Sequence, residues 1–171
     1  MDVTVKKLAI LGVSMILPLV WIANSTAANE SPFPMPAGPV YIEECGSCHT
    51  AYAPGLLPAR SWDRMMGELN RHFGEDASLD PETTRRLAME LRARASDSSR
   101  ADSLMRRINA AIPPGEAPQR ITQTAFFKFM HDEVPASIWT RAKIGNPSNC
   151  GACHVNADTG RYAEREVKIP K

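Results

Sequence analysis

Two copies of one five-residue pattern, Cys-x-x-Cys-His, constrain this 171-residue chain more than any other feature. The first is Cys45-Gly46-Ser47-Cys48-His49; the second is Cys150-Gly151-Ala152-Cys153-His154. The pattern reads as an attachment site for c-type haem. Two thiols three positions apart, on one helical turn, can each form a thioether to one of the two haem vinyl groups. The histidine that follows is then held beneath the iron as an axial ligand. The chain has 4 cysteines, and the two motifs use them all. A disulfide or zinc site built from the same thiols would leave His49 and His154 without a role. Two covalently attached haem c groups are therefore expected, one on Cys45, Cys48 and His49 and one on Cys150, Cys153 and His154.

The N-terminus suggests where such chemistry takes place. Residues 1–7 end in Lys6 and Lys7, residues 8–23 form an apolar run, and Asn24-Ser25-Thr26-Ala27-Ala28 supplies small residues. This is the layout of a secretory signal peptide, residues 1–27, with cleavage after Ala27 or Ala28. The rival reading is an uncleaved anchor. The run is shorter than the roughly 20 residues that a spanning helix needs, and Pro18 interrupts it. No later segment is long and apolar enough to span a membrane. Covalent haem attachment outside the cytoplasmic membrane agrees with export, so a periplasmic location is expected. Residues 28–171 then form the haem domain, a size that suits one compact unit or two small lobes. Removing Asp2, Lys6 and Lys7 balances acidic and basic side chains, so no basic excess attracts nucleic acid.

Helical signals recur along the chain, and alternating strand patterns do not. Residues 29–40 hold Pro32, Pro34, Pro36 and Pro39 and read as an extended arm. A short helix from Tyr41 carries the first motif. Ser61 is a candidate N-cap for a helix with Trp62, Met65, Met66, Leu69, His72 and Phe73 on one face, ended by Gly74. Asp80-Pro81-Glu82 starts another helix, with Leu87, Leu91 and Ala95 as its apolar stripe. Leu104, Ile108 and Ala111 mark a further one. Residues 112–119, rich in proline, form the clearest linker and the candidate lobe boundary. Thr122 is a candidate cap for a helix that ends near His131 and carries Phe127 one turn before it. Ile138 and Trp139 suit a haem face or a lobe interface. Residues 167–169 suit a short extended segment. The expected fold is all-α, with small helices and long loops wrapped around two haems. The low aromatic content agrees with haems filling the core.

The histidine count bears on the irons. There are 4 histidines. His49 and His154 belong to the motifs, which leaves His72 and His131, one in each half, to complete the metal ligand set. Methionine ligation through Met65, Met66, Met105 or Met130 is the alternative, since Met/His is a known axial pair. Local pairing joins His49 with His72 and His154 with His131; crossed pairing would tie the halves together. Irons closed by two protein ligands have no position for substrate, so such haems carry single electrons at low potential.

With these residues in view, the chain resembles the bacterial dihaem cytochrome c family of periplasmic proteins. The matching features are 44–50 around the first motif, Trp62, His72-Phe73-Gly74, Arg120-Ile121-Thr122, His131, Trp139, 149–154 around the second motif, and the tail from Tyr162 to Pro170. The resemblance implies bis-histidine haems at His49, His72, His131 and His154. It also implies electron exchange with a small oxygen-binding monohaem cytochrome c or a membrane b-type cytochrome. An electron carrier with no catalytic residues is expected. The alternatives are a dihaem enzyme of peroxidase type, in which one iron can open, and a small electron-transfer subunit of a periplasmic reductase.

Overall fold

A computed structural model describes residues 38–171; the expected signal peptide and most of the expected extended arm lie outside the described residues. Six α-helices occur among them: α1 (Pro39–Gly46), α2 (Ala59–Gly67), α3 (Pro81–Ala93), α4 (Ser103–Ala110), α5 (Ala125–Met130) and α6 (Ala136–Trp139). Six single 3₁₀ turns connect them or follow them. No strand forms among the described residues beyond two isolated bridges, His72 with Glu75 and His154 with Val167. The expected all-α architecture of short helices and long loops is the one observed.

The longest helix starts where the sequence places it. Asp80 caps α3 by accepting hydrogen bonds from the backbone N–H of Glu82 and Thr83, both at 3.0 Å, and Pro81 occupies the first turn. Leu87 and Leu91 are buried along α3, and Ala95 is buried just beyond it. They pack with Tyr41 of α1, Leu57, and Trp62 and Met66 of α2. Each large side chain in this cluster contributes roughly 1.5–3 kcal/mol by leaving water. The Trp62 indole N–H is satisfied in the core by the Pro54 carbonyl at 2.8 Å.

A second cluster joins Ala53, Ala101, Met105 and Ile108, with Phe126 and Tyr162 packed against it. Packing therefore crosses the proline-rich segment 112–119. Arg60 of α2 also donates to the carbonyls of Pro113 and Glu116 in that segment. Gly55 is held against α4, where a Cβ would lie 2.9 Å from Met105 Cε and 3.0 Å from its Cγ. Met105 is fully buried, so it has little room to yield. Gly55→Ala is expected to cost about 1–3 kcal/mol by overpacking, read as a lowered denaturant midpoint of the haem-loaded protein.

Three helix boundaries differ from expectation. Ser61 does not cap α2: the helix begins at Ala59 after Pro58, which has no side-chain cap, and Ser61 is buried. Extended backbone at Pro58 sets the start instead, and the carbonyl of Pro58 accepts from the Ser61 and Trp62 N–H groups. The helix expected to run to Gly74 ends at Gly67 and gives way to a 3₁₀ turn, Leu69–Arg71. Thr124, not Thr122, caps α5, its hydroxyl accepting from the Phe127 N–H at 3.2 Å.

Candidate haem sites

Each motif is delivered by a short turn of helix. Cys45 sits in the last turn of α1, and Cys48 and His49 follow it. Cys150 opens the 3₁₀ turn Cys150–Ala152, which places Cys153 and His154 just past it. Neither Ser148 nor Asn149 caps this turn with its side chain; Asn146 instead accepts from the Ser148 N–H at 2.9 Å. All four cysteines are free thiols. Burial pushes the Cys45 and Cys150 thiols up to about 11, and it also raises Cys153. Thiols in such surroundings are protonated and poorly suited to metal binding on their own. Among the described residues, no three His, Cys, Asp or Glu side chains are grouped to hold a metal ion. A macrocycle that brings its own four nitrogens needs only two axial donors from the chain.

The structure pairs the four histidines locally. The rings of His49 and His72 have centroids 6.1 Å apart, and those of His131 and His154 are 6.0 Å apart. A metal–imidazole bond of about 2 Å on each side, plus about 1 Å from each nitrogen to its ring centre, spaces two axial rings roughly 6 Å apart. The planes differ between sites: 20° apart for His49 and His72, 81° apart for His131 and His154.

Tautomers are set from outside the pairs. His49 Nδ1 lies 2.7 Å from the Thr50 carbonyl oxygen, and His131 Nδ1 lies 2.8 Å from the Phe127 carbonyl oxygen. A carbonyl can only accept, so Nδ1 carries the proton and Nε2 keeps its lone pair, the arrangement metal-bound imidazoles use. Burial is the main cause that lowers the pKa of His72 and His154, and the facing histidine adds to it in both. Both effects favour neutral imidazole, the ligand form. Nδ1 of His154 is buried with no hydrogen-bond partner; the other buried side-chain atoms in that state are serine hydroxyls.

His72 and His131 are held by turns rather than by long helices. His72 follows the Leu69–Arg71 turn and opens a tight reversal closed by the Glu75 N–H on the His72 carbonyl at 3.1 Å. Phe73 and Gly74, at its centre, have φ of 55° and 109°. A positive φ is uncommon for phenylalanine and costs of order 1–3 kcal/mol, so the surroundings must enforce it. The Arg120 guanidinium lies 4.1 Å over the Phe73 ring and supplies part of that hold. His131 terminates α5 and stacks on Phe127 at 4.1 Å, with Trp139 5.8 Å away. The Phe127–His131 spacing was readable from the sequence. The Arg120–Phe73 contact and the stacking of Tyr52 on His49 at 4.9 Å were not: the first joins residues far apart in sequence, and the second is made across non-helical backbone.

Apolar surface surrounds these positions. Ile42, Phe73, Phe129, Met130 and Val155 are exposed, and they flank the first motif, His72, His131 and His154 respectively. Exposed apolar side chains next in sequence to the motifs and to the two remaining histidines are surface that a flat apolar cofactor could cover. Met65, Met66 and Met105 are buried core residues. The chain's donors, thiols and apolar margins thus fit one haem at each motif. Among the described residues no helix is long and apolar enough to cross a membrane.

Comparison with known proteins agrees. Residues 41–162 match the dihaem cytochrome c family. A diheme cytochrome c from Rhodobacter sphaeroides is 40% identical with a TM-score of 0.67, over 75% of this chain and 98% of that one. A diheme cytochrome type c from Shewanella baltica OS155 is 38% identical with a TM-score of 0.63, over 77% of this chain and 92% of that one. No curated protein matches. With two attachment motifs, a helical fold and this span of similarity, the chain belongs to the dihaem cytochrome c family and takes two c-type haems.

Proposed function

We propose that this electron-transfer cytochrome works as an exported, periplasmic carrier whose two irons are each closed by a histidine pair, His49 with His72 and His131 with His154. The observation that carries this is the spacing of both ring pairs, 6.1 and 6.0 Å. Bound haem supplies a one-electron ferric–ferrous couple. The chain's residues do the rest. Cys45, Cys48, Cys150 and Cys153 would fix each group covalently. The carbonyls of Thr50 and Phe127 orient His49 and His131 toward the iron. His72 and His131 would hold the irons from the side opposite the motif histidines, leaving no site for a substrate, which sets aside the peroxidase-type reading. Burial of Met65, Met66 and Met105 in the core argues against a thioether ligand from them, and Met130 is the remaining candidate methionine, beside His131.

Export rests on the lysine-flanked apolar run and small-residue site of residues 1–27. The partner is a redox protein; a small oxygen-binding monohaem cytochrome c or a membrane b-type cytochrome is the partner implied by family resemblance.

Carbon monoxide tests closure. Neither reduced haem is expected to bind it rapidly at neutral pH, and rapid binding by either one contradicts the assignment. Acidification tests the ligand type. Protons compete with iron for the imidazole lone pair, so falling pH is expected to release the distal histidines and produce high-spin absorbance. The thioether-held haems stay attached, and the change reverses on neutralisation. A denatured sample retaining no covalent haem would contradict the attachment.

A further inference from the structure

We infer that Tyr52 is a positioning residue shared by both haem sites, tying the turn that carries the second motif to the proximal histidine of the first. The inference rests on the bis-histidine reading above and goes beyond it.

Two contacts of one side chain, and one of its backbone, carry it. The Tyr52 ring stacks on His49, with centroids 4.9 Å apart and planes at 22°. Its hydroxyl donates to the Ser148 carbonyl at 2.8 Å, across 96 residues of sequence. Ser148 lies two residues before Cys150, and the Cys150 thiol sits 3.5 Å from that same carbonyl. Tyr52 is fixed in turn by its own carbonyl, which accepts from the Tyr41 hydroxyl at 2.6 Å. Tyr41 is buried in the core, so the bridge is anchored to the body of the protein.

The two motifs also meet directly. A Cβ on Gly151, inside the second motif, would lie 3.9 Å from Thr50 Oγ1, the residue after His49. The turn of the second motif therefore lies close to the residue after His49, and Tyr52 bridges the two segments. On the far side of Cys150, Tyr162 packs edge-on against His154 at 5.4 Å. A hydrogen bond between two such segments fixes spacing because its length and direction are narrow. The spacing of two redox centres governs how readily an electron passes between them. Tyr52 would thus set the relation of the two haems without touching either distal ligand.

Two substitutions separate its parts. Tyr52→Phe keeps the ring against His49 and removes the hydroxyl. Tyr52→Leu removes both. The readout is the haem methyl proton resonances of the oxidised, fully loaded protein. Each haem's signals are assigned from His72→Gly and His131→Gly, which perturb one site apiece. Tyr52→Phe is expected to shift the resonances of the haem on Cys150 and Cys153 while those of the haem on Cys45 and Cys48 stay in place. Tyr52→Leu is expected to shift both sets. Internal electron exchange, measured by flash photoreduction, should slow in both variants. A Tyr52→Phe protein whose second-haem resonances match wild type overturns the inference, whatever its melting temperature does. High-spin haem in the wild-type protein would instead overturn the ligand assignment, so the two failures are distinct.

Discussion

His72→Gly is expected to retain both covalent haems and to convert one of them from six-coordinate low spin to an open, ligand-binding state. His131→Gly is expected to do the same to the other haem. The thioether cysteines and proximal histidines are untouched by either change, so attachment does not depend on the sixth ligand. Glycine offers no donor, and the methionines that could replace the lost imidazole differ between the two sites. Met65, Met66 and Met105 are packed into the core, where moving one to an iron would leave a cavity. Met130 is exposed beside His131, so the second site has the nearer substitute. Carbon monoxide should bind one haem per protein in either variant and none in the wild type. A six-coordinate, carbon monoxide-resistant His72→Gly protein would show that His72 is not the ligand. Local pairing makes a further distinction. His72→Gly should open the haem held by Cys45 and Cys48, whereas crossed pairing would open the other.

The second large effect concerns attachment. Replacing Cys150 and Cys153 together with serine is expected to remove one of the two haems completely. Serine cannot form the thioethers, and His154 alone offers a single axial bond. The purified variant should show the mass and haem absorbance of a monohaem protein, with the first site still low spin. The consequences should reach past the haem itself. The Cys153 carbonyl accepts from the Lys168 N–H at 2.9 Å, and the Ser148 carbonyl accepts from Tyr52. The motif's backbone is thus woven into both the C-terminal tail and the first site. Covalent retention of two haems by this variant would refute the attachment reading.

Much of the site was legible because its chemistry is local. Five consecutive residues carry the proposed thioether donors and a proposed ligand, and the count of histidines leaves one candidate per half. Asp80-Pro81-Glu82 fixed the start of α3 through a cap whose partners are two and three residues away. Phe127 and His131 met one turn apart, as helical spacing requires. The tail's extended segment appeared as the bridge between His154 and Val167.

What could not be read depended on distant partners or on turns that break a period. The face from Trp62 to Phe73 looks like one helix, yet the chain leaves α2 at Gly67. Glycine has poor helix propensity and the reversal at Phe73–Gly74 needs positive φ, so His72 is presented from a loop. Ser61 has the chemistry of a cap but lies buried three residues inside the turn that Pro58 starts. The bridging role of Tyr52 has no local signal, since its hydroxyl partner is 96 residues away.

Paramagnetic resonance of the fully oxidised wild-type protein, recorded beside its optical spectrum, tests the bis-histidine assignment most directly. Two low-spin signals of unequal anisotropy are expected, because the ring planes lie 20° apart at one site and 81° apart at the other. No high-spin signal and no long-wavelength band of methionine ligation should accompany them. A high-spin signal from either haem at neutral pH, or a methionine-type band, would contradict closure of both irons by histidine pairs.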